Sequence, residues 1–287
     1  MQRRTNLKFM CIGAQKSGTT WLYHQLAKHK QVHMPTLKEI HYFDELHRQV
    51  PSTLTDRWFG KHWMNKRWRK INLYMLIKLA KLDFSNAKWF WHYLYSERNW
   101  AWYDKLFANA SNSMSGDITP DYAVLNEQLV ADIHQRYPEL KIIYLMRDPV
   151  ERKWSQIKMV LGEQKGRDFK TVPAEQYRKA AEDWQDEHGN YAETIELWQR
   201  YYGKEQMFIG FYDELKQDPS ELYGRILDFL GLPRHYEDSA VKKVVYGGAR
   251  QSMPEEIYQL LCEQQRSKLV ELKQLVGKLP DSWPNPS

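Results

Sequence analysis

Apolar residues come in short blocks along this chain, separated by stretches of helical periodicity. Leu7-Lys8-Phe9-Met10-Cys11-Ile12 predicts a buried strand, and Leu22, Leu26 and His29 behind it fall at helical spacing. Gln31-Val32-His33-Met34-Pro35 predicts a second short strand that Pro35 ends. Lys141 to Met146 and Met207 to Phe211 predict two further core strands. Helical patterns fill the intervals. One covers Asn126 to His134, and a second begins after Asp148, which reads as an N-cap with Pro149 at the first helical position and Glu151 completing a capping box. A polar helical pattern then runs from Val160 to Gly203, with Ala192, Ile195, Leu197, Trp198 and Tyr201 as its buried face near the end. Pro219 to Leu230 is helical and closed by Gly231 and Pro233, and Ser252, with Glu255 three residues on, reads as the N-cap of a terminal helix. Short apolar strands alternating with helices predict an α/β fold, a parallel central sheet covered by helices on both sides.

Bulk properties narrow this picture. At 287 residues the chain can build one large α/β core or two small ones. It has no Pro/Gly/Ser-rich linker, repeat or low-complexity block, so a single domain over residues 1–287 is expected. The two cysteines, Cys11 and Cys262, form no disulfide or metal-binding pattern, which fits a reducing compartment. The N-terminus passes from Arg3 and Arg4 into a strand instead of a signal-peptide core, and no apolar run reaches the roughly 18 residues of a transmembrane helix. A soluble, cytoplasmic protein without a transmembrane segment is the expectation. A net charge of +6 and a pI near 9.0 favour acidic ligands. No nucleic-acid-binding motif accompanies that charge, so nucleic acid is not an expected partner.

Residues 56–107 depart from the rest. They hold seven of the twelve tryptophans: Trp58, Trp63, Trp68, Trp89, Trp91, Trp100 and Trp102. Between Arg57 and Lys88 nine Lys or Arg face one acidic residue, Asp83. Ile71 to Leu82 predicts an amphipathic helix, apolar over most of its circumference. Three readings stand side by side: an acceptor-binding lid, with aromatic faces for sugar rings and cations for acidic groups; a helix lying on a membrane surface; and a helical insert packed on the sheet edge with its charges solvated.

Candidate chemistry begins at Gly13-Ala14-Gln15-Lys16-Ser17-Gly18-Thr19-Thr20. Strand, glycine-bearing turn and helix make an anion cradle, in which backbone N–H groups and the helix dipole converge and Lys16 adds a full charge. A nucleoside-triphosphate P-loop places its lysine directly after the last glycine. Here the lysine precedes Gly18 by two residues, which predicts a phosphate-like ligand other than ATP. Lys16-Ser17-Gly18-Thr19-Thr20-Trp21-Leu22 resembles the 5′-phosphosulfate loop of sulfotransferases that use 3′-phosphoadenosine 5′-phosphosulfate (PAPS). The resemblance implies a P-loop-like domain. It also assigns Lys16, Ser17, Gly18, Thr19, Thr20 and Trp21 to the donor, with Lys16 neutralising charge on the leaving phosphate oxygen.

Two further stretches extend the resemblance. Thr36-Leu37-Lys38-Glu39-Ile40-His41-Tyr42-Phe43-Asp44 resembles a Glu-x-His-Phe-Phe-Asp segment of heparan sulfate sulfotransferases, with Tyr42 in place of the first phenylalanine. It implies Glu39 as general base, with His41 and Asp44 beside it. Read without the family, Glu39 is an exposed loop carboxylate and His41 a packed core histidine. The stretch Lys141 to Ser155 reads as strand, turn and helix, and it resembles the family's 3′-phosphate site, with Arg147 and Ser155 as the phosphate-holding pair. An arginine fork and a hydroxyl suit that ligand; the bland alternative for Arg147 is a surface salt bridge. Gly116-Asp117-Ile118-Thr119-Pro120-Asp121-Tyr122 resembles a Glu-Lys-Thr-Pro-x-Tyr segment of heparan sulfate 3-O-sulfotransferases, but Ile118 stands where their active-site lysine would be. That departure weakens a heparan-like acceptor. Tyr246 to Gln251 resembles, by location, the loop covering the donor's adenosine diphosphate moiety. It brings in Gly248 and Arg250 as donor contacts, or else marks an ordinary glycine-rich turn.

Together these stretches imply sulfuryl transfer from PAPS to a hydroxyl or amine of a saccharide or small-molecule acceptor, by in-line displacement. Glu39 would act as base with His41 assisting, and no metal would be needed. A P-loop kinase and a non-catalytic glycan- or membrane-binding module are the alternatives. A kinase wants its lysine after the glycine and a Walker-type aspartate, which the strand ending in Met146-Arg147-Asp148-Pro149 offers poorly, and a binding module has no use for the base.

Overall fold

The computed structural model describes residues 6–108, 113–165, 172–241 and 252–285. Its centre is a five-stranded sheet ordered β2-β3-β1-β4-β5, with every pairing parallel. The strands are β1 (Leu7–Gly13), β2 (Val32–His33), β3 (Met114–Ile118), β4 (Lys141–Met146) and β5 (Met207–Phe211). Successive side chains on a strand point to opposite faces, and the central strands divide accordingly. Met10, Ile12, Ile142, Tyr144 and Met146 enter one core, while Phe9, Cys11, Ile143 and Leu145 enter the other. Two buried faces are what a parallel sheet requires, and they explain why β1 and β4 read as continuous apolar runs.

On one face lie α1 (Thr19–Leu26) and, later in the chain, α12 (Pro219–Leu230), which share the Phe9 core through Leu22, Leu26, Ile226 and Leu227. Asp218 caps α12 by accepting from Ser220 and Glu221 amides at 3.1 Å, and Gly231 closes it at φ +77°. The larger core on the other face is covered by α7 (Glu127–Arg136), α10 (Tyr191–Tyr202) and α14 (Glu255–Val276), which contribute Val130, Ile133, Ile195, Trp198 and Leu269. A third, smaller core gathers α8 (Pro149–Lys165) and α9 (Ala174–Asp183) around Trp154 and Tyr177.

Four expectations shift at their edges. The second strand is only Val32–His33 long. The polar stretch after Val160 divides into the end of α8, then α9 and α10. The terminal helix starts at Glu255 with Pro254 in the N-cap position, not Ser252. Asp148 does cap α8, accepting from the Val150 amide at 2.9 Å, but the Glu151 carboxylate turns to Arg147 instead of completing a capping box.

The remaining elements frame the sheet edge. Short α2 (Phe43–His47) leads to the aromatic segment, which forms α3 (Leu54–Phe59), α4 (Trp63–Ala80), α5 (Ala87–Tyr95) and α6 (Trp100–Lys105). Trp68, Trp89 and Trp102 are buried there, and each indole N–H donates to a backbone carbonyl, of Leu94, Leu106 and His92 respectively. Trp58, Trp63 and Trp91 are exposed. The long α4 begins eight residues earlier than the amphipathic stretch at 71–82 predicts. Two short helices, α11 (Tyr212–Gln217) and α13 (Asp238–Val241), complete the described chain. Among the described residues no helix is long and apolar enough to cross a membrane.

Candidate active site

Because all five strands run the same way, the turns that follow them collect at one edge of the sheet, where open α/β sheets bind ligands. A cleft of about 1060 Å³ lies there. Its lining takes Lys16 from the turn after β1, Pro120 and Asp121 after β3, Arg147 after β4 and Tyr212 after β5. Gly18, Thr19, Thr20, Trp21, Glu39, His41 and Ser155 share that lining. Residues as far apart in sequence as Lys16 and Tyr212 therefore meet in one space. Ser17 is set apart, buried behind the loop with no hydrogen-bond partner for its hydroxyl. Gly248 and Arg250 lie outside the described residues.

The loop after β1 has the geometry of an anion cradle. Gly18 is the N-cap of α1 at φ +91°, and a side chain there would also place its Cβ 2.7 Å from Leu215. Lys16 adopts φ +69°, and its Nζ lies 3.8 Å from Met159 Sδ across the cleft on α8. Trp21 is mostly structural: its indole donates to the Val241 carbonyl at 3.0 Å and meets Tyr223 edge-on. Arg147 lies across the ring of Tyr212, 5.0 Å from its centroid, and donates to Glu151 at 3.2 Å and to the Lys16 carbonyl at 3.4 Å. Its Nε is buried without a partner. The salt bridge and the cleft position thus coexist at Arg147.

Glu39 and His41 both sit at positive φ, +63° and +55°, a conformation that costs a non-glycine residue of order 1 kcal/mol or more and needs outside support. That support is visible. The amide of Ile40 donates to Thr119 Oγ1 at 3.0 Å, the amide of Tyr42 to the Tyr122 hydroxyl at 3.2 Å, and Arg67 to the carbonyls of Lys38 and Glu39 at 3.0 and 2.6 Å. Thr119, Tyr122 and Tyr103 in turn donate to the fully buried carboxylate of Asp117 at 2.8, 3.0 and 2.9 Å. Burial pushes Asp117 above the ordinary carboxylate range, against the pull of those three donors. Sequence reasoning placed Thr119 and Tyr122 in a motif without a task and passed over Asp117. An aspartate between Gly116 and Ile118 gives no local sign of the partners that reach it from α6 and the turn after β3.

Electrostatics assign the remaining roles. Burial works against a charge on His41, but hydrogen bonds to Asp44, at 2.7 Å, and to Glu39, at 3.5 Å, outweigh it and push the imidazole up to about 10. His41 is therefore an imidazolium at neutral pH, with no lone pair to accept a proton. Burial likewise opposes ionisation of Glu39, and the His41 contact and the Lys38 charge overturn that, holding its carboxyl below the ordinary range. Glu39 is ionised and one-third exposed at the cleft (33%). Asp121 completes the array, 3.9 Å from His41 and 3.6 Å from His188. The pair Asp121–His188 lines the cleft and carried no sequence signal. Ligand atoms of His41, Asp44 and Asp121 lie within 4.8 Å of one another, a spacing that would suit a cation. Of the aromatic segment, Trp63 reaches the lining, its ring edge-on to His41 at 5.0 Å. Ile118 is buried in the core behind β3 and takes no part in the lining.

Residues 9–238 match the model of the sulfotransferase family. The chain belongs to that family. Among curated relatives, human heparan sulfate glucosamine 3-O-sulfotransferase 6 is 30% identical over 168 residues, 54% of this chain and 49% of the relative. Human heparan sulfate glucosamine 3-O-sulfotransferase 3B1 is 30% identical over 149 residues, 50% of this chain and 37% of the relative. The matched region spans about half the length of these proteins or less. Among solved structures, a sulfotransferase from Alicyclobacillus acidocaldarius aligns with TM-score 0.66 at 19% identity, covering 99% of this chain and all of that one. The sulfotransferase domain of the Synechococcus PCC 7002 olefin synthase aligns with TM-score 0.57 at 16% identity, covering 97% of each chain. At such identities these likenesses speak to architecture: the chain has the α/β fold expected from its strand pattern, in the P-loop-like form that the resemblance implies, and the family match leaves the kinase alternative unfavoured.

Proposed function

We propose that this sulfotransferase-family chain transfers a sulfuryl group from PAPS to a hydroxyl of a saccharide or small-molecule acceptor. One observation carries the reading: a single cleft gathers the Lys16 loop, the Arg147–Ser155 pair and an ionised Glu39 clamped by a charged His41. The donor fits what the cleft offers. The unpartnered Nε of Arg147 awaits an acceptor, and the positive-φ Gly18 aims the first amides of α1 at the Lys16 side of the cleft. When bound, PAPS supplies an activated sulfuryl group on a phosphate leaving group. Lys16 and the α1 N-terminus would hold that phosphate and stabilise the charge it gains as a leaving group, a preorganised stabilisation worth several kcal/mol in comparable sites (about 2.7–4 for one donor). Glu39 receives the proton that the acceptor hydroxyl releases, and His41 keeps the carboxylate ionised and oriented. The names of the curated relatives support a saccharide acceptor. Ile118 in place of the family lysine argues for an acceptor other than theirs.

The test is a thermal melt with 3′-phosphoadenosine 5′-phosphate beside ADP with Mg²⁺, followed by an assay for release of the bisphosphate from PAPS with saccharide acceptors. A ligand at 100 times its dissociation constant adds about 2.7 kcal/mol to the folded state. Stabilisation by the bisphosphate alone, with acceptor-dependent release, is the expected result. Stabilisation only by ADP with Mg²⁺ sinks the reading, and bisphosphate binding without turnover on any acceptor class points to a binding module.

A further inference from the structure

Among the described residues thirteen large apolar side chains are exposed, and eleven of them lie between positions 54 and 91. Soluble surfaces expose apolar residues singly, and a concentration of this kind marks an interaction face. Phe59 is 82% exposed at the end of α3, Leu82 77% and Phe84 64% in the turn between α4 and α5. Along α4 the buried residues Met64, Trp68, Ile71 and Met75 form one side, while Lys66, Lys70, Leu73 and Ile77, spaced by four, three and four, run as a stripe along the opposite, exposed side. Lys61, Lys81 and Lys88 are also exposed around the apolar tip. From Arg57 to Lys88 nine cationic side chains stand against Asp83.

We propose that the outer face of α3, α4 and α5 docks on an anionic lipid bilayer. Three observations select that occupant. Exposed apolar side chains interspersed with lysines, with Trp58 exposed on α3 and Trp91 on α5, are the composition of an interfacial segment whose apolar side chains enter the acyl boundary while its lysines meet the headgroups. A second copy of this chain fits poorly, because a two-fold contact would set one lysine-rich face against another. The face is also continuous with the cleft: Trp63 is exposed with the patch and lines the cleft beside His41, so docking brings the cleft rim to the surface. The helices lie on the bilayer, since none is long and apolar enough to cross it.

The experiment is flotation with vesicles of phosphatidylcholine alone and of phosphatidylcholine mixed with phosphatidylglycerol, at low and high salt. The chain is expected to float with the anionic vesicles, to release at high salt and to ignore the neutral ones. Each lysine near an anionic surface contributes about fivefold to partition, so Lys66→Ala, Lys70→Ala and Lys81→Ala together should lose about a hundredfold. Leu73→Ser, Ile77→Ser and Leu82→Ser together should abolish flotation. All six positions are exposed or at the rim of the patch, so parent melting temperatures are expected, and the salt dependence of the parent chain tests the idea independently of any variant. Equal capture by neutral and anionic vesicles, or capture by neither, overturns it. So does a concentration-dependent dimer, seen by sedimentation without lipid, that the serine variant dissolves.

Discussion

At the scale of single residues, the site turns on two adjacent charges of opposite sign. His41 holds its proton because two carboxylates accept from it, so the sign of its pH effect is fixed. Its folded value, about 10, lies above the ordinary 6.5, so its stabilising contribution is complete below pH 6.5 and is lost as pH rises through about 10. Urea unfolding across that window should show falling stability, and His41→Gln should flatten the decline. A parent chain equally stable at both ends of the window would remove the imidazolium from the account. Glu39→Gln keeps the neighbourhood's shape while removing the proton acceptor. It should bind 3′-phosphoadenosine 5′-phosphate as the parent does and lose about 10²–10⁴-fold in turnover. Turnover at the parental rate would transfer the base role elsewhere, with Asp121 the next carboxylate on the cleft wall. The cleft positions of Glu39, Lys16 and Arg147 were legible because each sits in a short stretch that resembles a family motif, with Lys16 and Arg147 also just past the ends of β1 and β4. The charge state of His41 was not, because its partners Glu39 and Asp44, though close in the chain, are brought onto the imidazole only by the positive-φ turn at Glu39 and His41.

At the scale of elements, the least legible strand does the most to place the site. The strands β1, β4 and β5 announce themselves as apolar runs, whereas β3 reads Met114-Ser115-Gly116-Asp117-Ile118. It is a strand because its neighbours make it one. Gly116 lies opposite Phe9, where a Cβ would fall 2.0 Å from the aromatic ring, so only glycine lets the two strands pair. Asp117 is tolerated in the sheet interior because three hydroxyls satisfy it, and those hydroxyls then carry the order forward to the Glu39–His41 turn. Gly116→Ala should therefore destabilise the fold by about 1–3 kcal/mol through overpacking, read as a lower urea midpoint. Thr119→Val has a different signature. It leaves the Ile40 amide and an Asp117 oxygen buried without a partner, at a cost of about 1–3 kcal/mol. Because the freed amide lies between Glu39 and His41, kcat should fall while affinity for the bisphosphate holds. A loss of stability with kcat intact would make Thr119 purely structural.

For the whole molecule, the question is how an aromatic, basic segment with so much exposed apolar surface stays attached to the sheet and in register with the cleft. Composition marked the segment as unusual but could not say which tryptophans were core. Inward-facing Trp68, Trp89 and Trp102 alternate irregularly with outward ones, since four helices of different direction share them. The attachment is partly this indole packing and partly ionic. Glu45 on α2 is buried and receives Arg57 from α3 and Arg98 from the stretch after α5, with the Arg98 guanidinium also 4.7 Å from the Trp102 ring. One carboxylate thus joins both ends of the segment to α2, which begins just after His41 and carries Asp44. Burial and the neighbouring Arg98 charge lower the pKa of Arg57, and Glu45 opposes both. Glu45→Gln preserves volume and leaves two largely buried guanidinium groups without a counter-charge, a loss of about 3–5 kcal/mol. The effect should reach the cleft, because the segment also grips the Lys38 and Glu39 carbonyls through Arg67. A melt of Glu45→Gln is expected to show a lower midpoint, and hydrogen exchange should show protection lost first in α3 to α5 and in the Lys38–His41 turn. If exchange instead rose uniformly over the sheet, Glu45 would stabilise the whole chain without coupling the segment to the site.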